Sequence, residues 1–176
     1  MARLISDQEI AGLLSEAKPL PANWRTRLKM RSKANQAFKQ RDLEVKGVKG
    51  HTFRLLLRQN ALNPLDFSVI LVYVDSDKVE YRLIRFQGPH PSQHTNKWEK
   101  WKKMADYAFR NRFHIHQATE RYQVAGLEID GYAVPTDKFD SFDSAVEGLI
   151  RNNGLAPREE ESERGTLWDL GEGGDT

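Results

Sequence analysis

Alternation between apolar and polar residues dominates the middle of the chain and predicts strands there. In His51–Arg58 every second position is apolar on one face, which is the period of a half-buried strand. The three positions on that face are Phe53, Leu55 and Leu57. Phe67–Val74 is apolar at almost every position and predicts a central strand covered on both sides. After a short turn, Val79–Gln87 completes a predicted β-meander.

A period of 3.6 residues predicts helices on either side of this meander. The first helix covers Ser6–Ala17, where Ser6 and Glu9 have the spacing of a capping box. A long central helix is predicted to begin near Asn96, and a last helix begins at Asp140 or Ser141. The central helix would place five residues on one core face: Trp98, Trp101, Ala105, Ala108 and Phe109.

The remaining segments give weaker patterns. Arg27–Arg31 is predicted as a strand, Ala34–Gln40 as helix or loop, and Arg112–Gln117 as a strand. Together the elements predict an α+β fold: an antiparallel β-meander of about five strands, with the long central and C-terminal helices packed on one face. We expect one domain over residues 1–155 and an acidic, disordered tail over 156–176.

The charge distribution is uneven although the net charge is only +2. Ala156–Thr176 holds two arginines and seven acidic residues, so this tail carries −5 and the rest of the chain +7. Asn23–Asn60 contains eleven lysines or arginines and two acidic residues. A basic body favours a polyanionic partner such as RNA, and equally fits a solvated basic face. Leu167–Leu170, with Trp168, is an apolar island that could dock on a protein partner or fold back on the domain.

Composition excludes several classes of protein. The chain has no cysteine, which excludes disulfides, thiolate zinc sites and a cysteine nucleophile. The N-terminus lacks the apolar core of a signal peptide, and the longest apolar run, Val69–Val74, is too short to span a bilayer. We therefore expect a cytoplasmic protein without membrane contact.

Four of the five histidines lie between positions 90 and 116. His90 and His94 fall in a proline-containing loop after the third predicted strand, and His114 and His116 are two apart on a later strand. Alternation places His114 and His116 on one exposed face with Arg112, while Phe113 and Ile115 face the core. The loop histidines could approach this pair if the loop folds back.

Three interpretations of the histidines stay open. As acid and base they could cleave or transfer at a phosphodiester, with Arg85, Arg112 or Arg121 neutralising the phosphate. Alternatively, three histidines could bind zinc, nickel or manganese, with Asp106 or Glu120 as a carboxylate ligand. They could also be structural. The sequence identifies no cofactor.

Basic residues crowd the predicted central helix and its exit. They are Lys97, Lys100, Lys102, Lys103, Arg110 and Arg112. We predict that they contact the phosphates of a nucleic acid. Trp98 and Trp101 lie among them and could stack on bases, although their helical spacing favours burial in the core.

Two segments carry a resemblance to known proteins: Ile84–His90 and Phe113–Tyr122. They resemble a family of uncharacterised prokaryotic and phage domains, and more faintly the TumE-type toxins of toxin–antitoxin modules. Those toxins carry Arg-x-Asp-Asn-x-x-His after a strand and then a histidine-rich strand. Arg85 and His90 correspond to its ends, one residue closer together, and Gln87-Gly88 replaces Asp-Asn. The resemblance implies a prokaryotic origin and nucleic-acid chemistry.

These observations lead to one leading functional hypothesis. We predict an RNA-directed protein, a histidine-dependent ribonuclease or toxin-like enzyme, with Arg85, His90, His114 and His116 in the site and Arg121 in support. The alternatives are a non-catalytic protein-binding module, such as a regulator or phage-encoded inhibitor, and a small histidine-ligated metalloprotein.

Overall fold

The structure is a computed structural model and describes residues 2–31 and 35–157. Its helices and strands follow one another in this order: α1 (Asp7–Ser15), β1 (Lys18–Leu20), α2 (Trp24–Arg27), β2 (Phe38–Lys46), β3 (Thr52–Asn60), β4 (Phe67–Val74), β5 (Glu80–Gln87), β6 (His94–Thr95), α3 (Lys97–Trp101), β7 (Ala108–Phe109), β8 (His114–Gln117), α4 (Glu120–Val124), β9 (Tyr132–Pro135), α5 (Phe142–Asn152) and β10 (Leu155–Pro157).

The main sheet has six antiparallel strands in the order β2-β3-β4-β5-β8-β9. This confirms the predicted α+β fold with an antiparallel meander. Two strands of this sheet were not predicted: β9, and β2, part of which was assigned to a helix or loop. β2 lies at an edge of the sheet, and only Leu43 and Val45 are buried on it.

One face of the sheet carries the hydrophobic core. Phe53, Leu55 and Leu57 of β3 are buried there, as their alternation predicts. α5 packs on β4 and β5, and the Ser141 side chain caps it by accepting a hydrogen bond from the Ser144 amide. The C-terminal helix therefore packs on the core face of the sheet.

The predicted long central helix is wrong beyond Trp101. α3 has five residues, because Lys103 adopts a left-handed φ of 56° that ends the helix. Ala108–Phe109 then forms β7, which pairs with β6 rather than continuing a helix. The paired strands β6 and β7, with α3 between them in the chain, lie over the other face of the sheet, because His94 and Phe109 contact His114 on the side opposite the core residue Ile115. α3 and α5 are therefore on opposite faces.

Two further predictions are corrected. Arg27–Arg31 is not a strand, since Trp24–Arg27 is the helical turn α2. The domain extends past residue 155, because β10 pairs in parallel with β1 through Pro157. The predicted disorder of the tail falls on residues 158–176, including Trp168, which lie outside the described residues. In the described part of the chain, no helix has the length and apolarity needed to cross a membrane.

Candidate functional site

The site is built on two neighbouring strands, β5 and β8. Their register places Arg85 beside His116 and Gln87 beside His114. Ile115, between the two histidines, is buried in the core. The prediction that both histidines share the face opposite the core is therefore confirmed, and Arg85 and Gln87 extend from the same face.

A β-bulge in β5 brings a second arginine to this face. Val72 pairs with Arg82 but Leu71 pairs with Ile84, so Leu83 is the additional residue. Both guanidinium groups then reach one carboxylate: Nε of Arg85 lies 3.2 Å from Oδ2 of Asp130, and Nε of Arg82 lies 3.7 Å from its Oδ1. Without the bulge, residues three apart on a strand would point to opposite faces.

The loop after β5 folds back and brings the other two histidines to the pair. The turn starts at Gly88, where a Cβ would lie 1.7 Å from the Leu65 carbonyl oxygen, so only glycine fits. The ring of His90 then lies 5.3 Å from that of His114, centroid to centroid. The ring of His94 lies 5.9 Å from His114 and 4.9 Å from His116. All four imidazoles form one cluster, which we call the histidine cluster.

The histidine pair is buried, and the prediction of an exposed face is wrong. His114 is 1% exposed and His116 is 5% exposed. The paired strands β6 and β7 cover them. The ring centroid of Phe109 lies 5.1 Å from that of His114 and 5.0 Å from that of His94. Phe109 was predicted on a helix, so its position over the two histidines was not predicted.

Hydrogen bonds to backbone carbonyls define the tautomers of the buried pair. Nδ1 of His114 lies 2.7 Å from the Arg112 carbonyl oxygen, and Nδ1 of His116 lies 2.9 Å from that of Asp130. A carbonyl oxygen can only accept, so each Nδ1 carries the proton. Each Nε2 is then left with a lone pair, which can accept a proton or a donor from a ligand.

Asn96 orients the third histidine in the same way. Its Nδ2 donates to the Ala133 carbonyl and its Oδ1 accepts from the Ala133 amide, which determines the orientation of the amide group. Oδ1 also lies 2.9 Å from Nε2 of His94, so this ring donates from Nε2 and keeps its lone pair on Nδ1.

The environment holds these imidazoles neutral. Burial lowers the pKa of His114 to about 4, and the neighbouring His90 adds to the shift. Burial also lowers the pKa of His116 to about 2, helped by the positive charge of Arg85. The pKa of His94 is lowered by burial as well. At neutral pH these three imidazoles therefore present lone pairs rather than charges.

These pKa shifts predict that acid destabilises the fold. In the unfolded chain a histidine takes up a proton near pH 6.5, whereas His114 and His116 stay neutral in the folded protein at pH 5. The unfolded state then binds more protons, so we expect the free energy of unfolding to fall by roughly 2–4 kcal/mol between pH 7 and pH 5. Urea unfolding at pH 7, 6 and 5 measures this change. His116→Asn should remove about half of the pH dependence, and an unchanged slope would contradict the assignment.

Unsatisfied polar atoms are concentrated in this site. Among residues 2–31 and 35–157, four buried side-chain atoms lack a hydrogen bond: Nε of Arg85 and Oδ2 of Asp130, which face each other as an ion pair at 3.2 Å, and Oε1 of Gln87 and Nε2 of His114, which have no partner. Buried polar atoms are normally paired, so two neighbouring acceptors without a donor, Oε1 of Gln87 and Nε2 of His114, indicate a place where a polar ligand binds. A cleft of about 460 Å³ opens beside Arg85 and Asp130, whereas Gln87 and His114 do not line it.

The cleft is lined by charged and polar groups of both signs. His94, His116, Arg85 and Lys97 contribute to its wall, and so do Glu128 and Asp130. Arg82 pairs with Glu128 at 3.3 Å, and Arg85 pairs with the buried Asp130. The cleft can therefore hold an anion against Arg85 and Lys97 with neutral imidazoles beside it.

Arg121 does not line this cleft, although it was predicted to support the site. Its guanidinium donates to the carboxylate of Glu99 and lies 4.5 Å from the centroid of the Tyr132 ring. Glu99 also accepts a hydrogen bond from the hydroxyl of Tyr122, and burial together with this hydrogen bond raises the pKa of that tyrosine. Arg121 therefore belongs to a structural network below α3.

The predicted nucleic-acid contacts are exposed but differ in position. Lys97, Lys100, Lys102 and Lys103 lie on α3 and the turn after it, and Arg110 and Arg112 lie before β8. Arg112 contributes its carbonyl to the site, while its side chain is exposed. Of these six residues only Lys97 lines the cleft.

The carboxylates proposed as metal ligands are not part of the cluster. Asp106 is exposed in the loop before β7, and Glu120 pairs with the N-terminal end of α1 through the Asp7 amide. Within the described ranges, no group of three or more histidine, aspartate or glutamate side chains is arranged to hold a metal ion.

Asp130 and Asn96 complete the site, and the sequence analysis missed both. Asp130 binds two arginines through its side chain and His116 through its carbonyl. Neither residue belongs to a motif, and each acts across a long stretch of chain. A buried acid within Ile129-Asp130-Gly131 has no local signal that separates it from an ordinary turn aspartate.

Comparisons with known proteins give no family for this chain. No family model, no curated protein and no solved structure matches it.

Proposed function

We propose that the protein is an RNA-directed enzyme that cleaves or transfers at a phosphodiester within the histidine cluster. The observation that carries the proposal is the grouping of four imidazoles in one cluster, in which Arg85 lies beside His116 and both residues line a polar cleft. Imidazoles beside a cation are the groups that proton transfer at a phosphate requires.

RNA supplies its own nucleophile, which suits a site with lone pairs. A neutral imidazole, His116 in this proposal, takes the proton of the ribose 2′-hydroxyl while the 2′-oxygen forms a bond to phosphorus. The bond from phosphorus to the 5′-oxygen breaks, and His90 donates a proton to that oxygen. Arg85 stabilises the charge on the non-bridging oxygens. No oxidant, reductant or further reactant is needed.

Binding of the phosphate would adjust the cluster for this chemistry. The pKa values of His114 and His116 are low in the free protein, which makes both rings weak bases. A phosphodiester anion beside them favours their charged form and therefore raises these pKa values towards neutrality. Substrate binding thus creates the basicity that the reaction uses.

The resemblance to TumE-type toxins supports the same proposal. Arg85 and His90 come from its first segment and the histidine-rich strand from its second, and both segments contribute to one cluster. The tail-based alternative, a protein-binding module, depends on residues 158–176, which lie outside the described residues. It stays a prediction, as does the cytoplasmic location.

The direct test is a cleavage assay with a labelled single-stranded RNA and a DNA strand of the same sequence. We expect the full chain to cleave the RNA with and without EDTA, to leave the DNA intact, and to produce a 2′,3′-cyclic phosphate end. Denaturing gels and mass spectrometry of the products measure this.

Each other outcome overturns part of the proposal. Cleavage that is lost in EDTA replaces the acid–base mechanism with a metal-dependent one. Cleavage of the DNA strand rules out the 2′-hydroxyl as nucleophile. An intact RNA in every lane, including transfer RNA as an alternative substrate, rejects the ribonuclease.

A further inference from the structure

α3 and the turn that follows it expose large apolar side chains among lysines. Trp101 is 58% exposed and Met104 is 49% exposed. Four exposed lysines surround them: Lys97, Lys100, Lys102 and Lys103. We call these six residues the tryptophan–lysine surface. The longer helix that the spacing predicts would bury Trp101. Because α3 ends early, this side chain is exposed to solvent instead.

The positive charge of this surface is not neutralised by its surroundings. The one acidic residue between positions 97 and 104 is Glu99, which is buried and bonded to Arg121 and Tyr122. In the part of the chain that the structure describes, none of the four lysines forms an ion pair. An exposed indole between unpaired cations is complementary to a polyanion that carries flat bases.

The backbone at Lys103 is in the left-handed conformation, which glycine adopts more easily than lysine. The Met104 amide donates to the Glu99 carbonyl and the Lys103 amide to the Lys100 carbonyl, which is the hydrogen-bond pattern of a Schellman motif. Its left-handed residue is Lys103, with a φ of 56°. Asp106 and Asn111 also have positive φ values of 55° and 51°. This turn ends α3 and leaves Trp101 and Lys103 exposed at its C-terminal end.

This surface is continuous with the histidine cleft. Lys97 lines the cleft, and Trp101 lies four residues later on the same helix. Residues at this spacing share a helix face, with Cβ atoms about 5–6 Å apart. A strand whose phosphate reaches Lys97 would therefore have a neighbouring base within reach of the indole of Trp101.

We infer that the tryptophan–lysine surface binds single-stranded RNA, with a base stacked on Trp101 and the backbone phosphates held by the lysines. The inference rests on the proposed function for the identity of the substrate and adds that the substrate is unpaired. Stacking on an exposed indole requires a free base face, which a duplex does not offer.

Binding can be measured without cleavage by using a 2′-O-methyl RNA strand, which lacks the nucleophile. We would titrate a fluorescein-labelled strand of about 12 nucleotides, alone and annealed to its complement, with the full chain and follow anisotropy at low salt. Trp101→Ala should weaken binding of the single strand about tenfold, and Trp101→Phe should retain most of the affinity. Duplex binding should be equal for all three proteins.

Leu62→Ala is the matched control, because Leu62 is 94% exposed in the turn between β3 and β4 and should change neither affinity. Thermal unfolding should show that Trp101→Ala keeps the fold. Equal affinity of wild type and Trp101→Ala for the single strand, or no binding by the wild type, overturns the inference. Trp101-dependent binding without RNA cleavage would support this inference and reject the catalytic proposal, so the two failures are distinguishable.

Discussion

His116→Asn is expected to reduce RNA cleavage at least about a hundredfold while the protein remains folded. An asparagine amide can donate to the Asp130 carbonyl as Nδ1 of His116 does, but it has no group in the place of Nε2. The substitution therefore keeps the structural hydrogen bond and removes the proposed base. Rates of cleavage of a labelled RNA under single-turnover conditions measure the loss.

Asparagine at position 116 tests the role of Nε2 more specifically than alanine does. His116 is buried and bonded, so alanine would remove the hydrogen bond and leave a cavity, and a loss of activity could then follow from unfolding. The control is His51→Asn, which makes the same chemical change in the histidine outside the cluster, where Nδ1 bonds Glu16. Equal activity of wild type and His116→Asn would exclude His116 as the base.

The fold was predicted best where burial alone determines the pattern. Phe67–Val74 was predicted as a central strand and β4 has these bounds, because apolar residues on both faces leave no other choice for a short segment. β2 was missed since charged residues alternate with its buried positions, Leu43 and Val45, and its other side is solvent. Edge strands carry a weaker pattern because only part of their surface is covered.

The error at α3 has a different cause. Trp98, Trp101 and Phe109 do recur at helical spacing, but a left-handed turn at Lys103 ends the helix after Trp101. Periodicity counts apolar positions and does not detect a change of backbone direction at a residue other than glycine or proline. The same error concealed both the exposure of Trp101 and the cover that Phe109 places on the histidines.

In the site, local geometry was predictable and long-range assembly was not. The period of two placed His114 and His116 on one face, which the structure confirms. Their burial depends on the paired strands β6 and β7, which come earlier in the chain. The path of the loop after β5 depends on how closely Gly88 packs against Leu65. The role of Asp130 depends on a bulge at Leu83. Each of these is a contact between distant residues, which spacing along a single sequence does not encode.

The Asp130→Asn substitution should cost about 3–5 kcal/mol of unfolding free energy. The side chain of Asp130 is 1% exposed and faces that of Arg85, which is 20% exposed, so the carboxylate neutralises a cation that water reaches poorly. Burial already lowers the pKa of Arg85, and Asp130 opposes that shift. Asparagine has nearly the same shape and leaves the backbone carbonyl in place for His116, so the loss would report charge alone. Urea unfolding at pH 7 measures it.

Two further variants separate the buried charge from other causes. Glu128→Gln removes the partner of Arg82, but both of those side chains are largely solvated, so a change within about 0.5 kcal/mol is expected. The double variant Arg85→Met with Asp130→Asn has no unpaired buried cation. It should therefore recover most of the stability that Asp130→Asn alone loses. If Asp130→Asn were as harmless as Glu128→Gln, Arg85 would have to be hydrated through the cleft, and the cation would then be available to a phosphate without the support of Asp130.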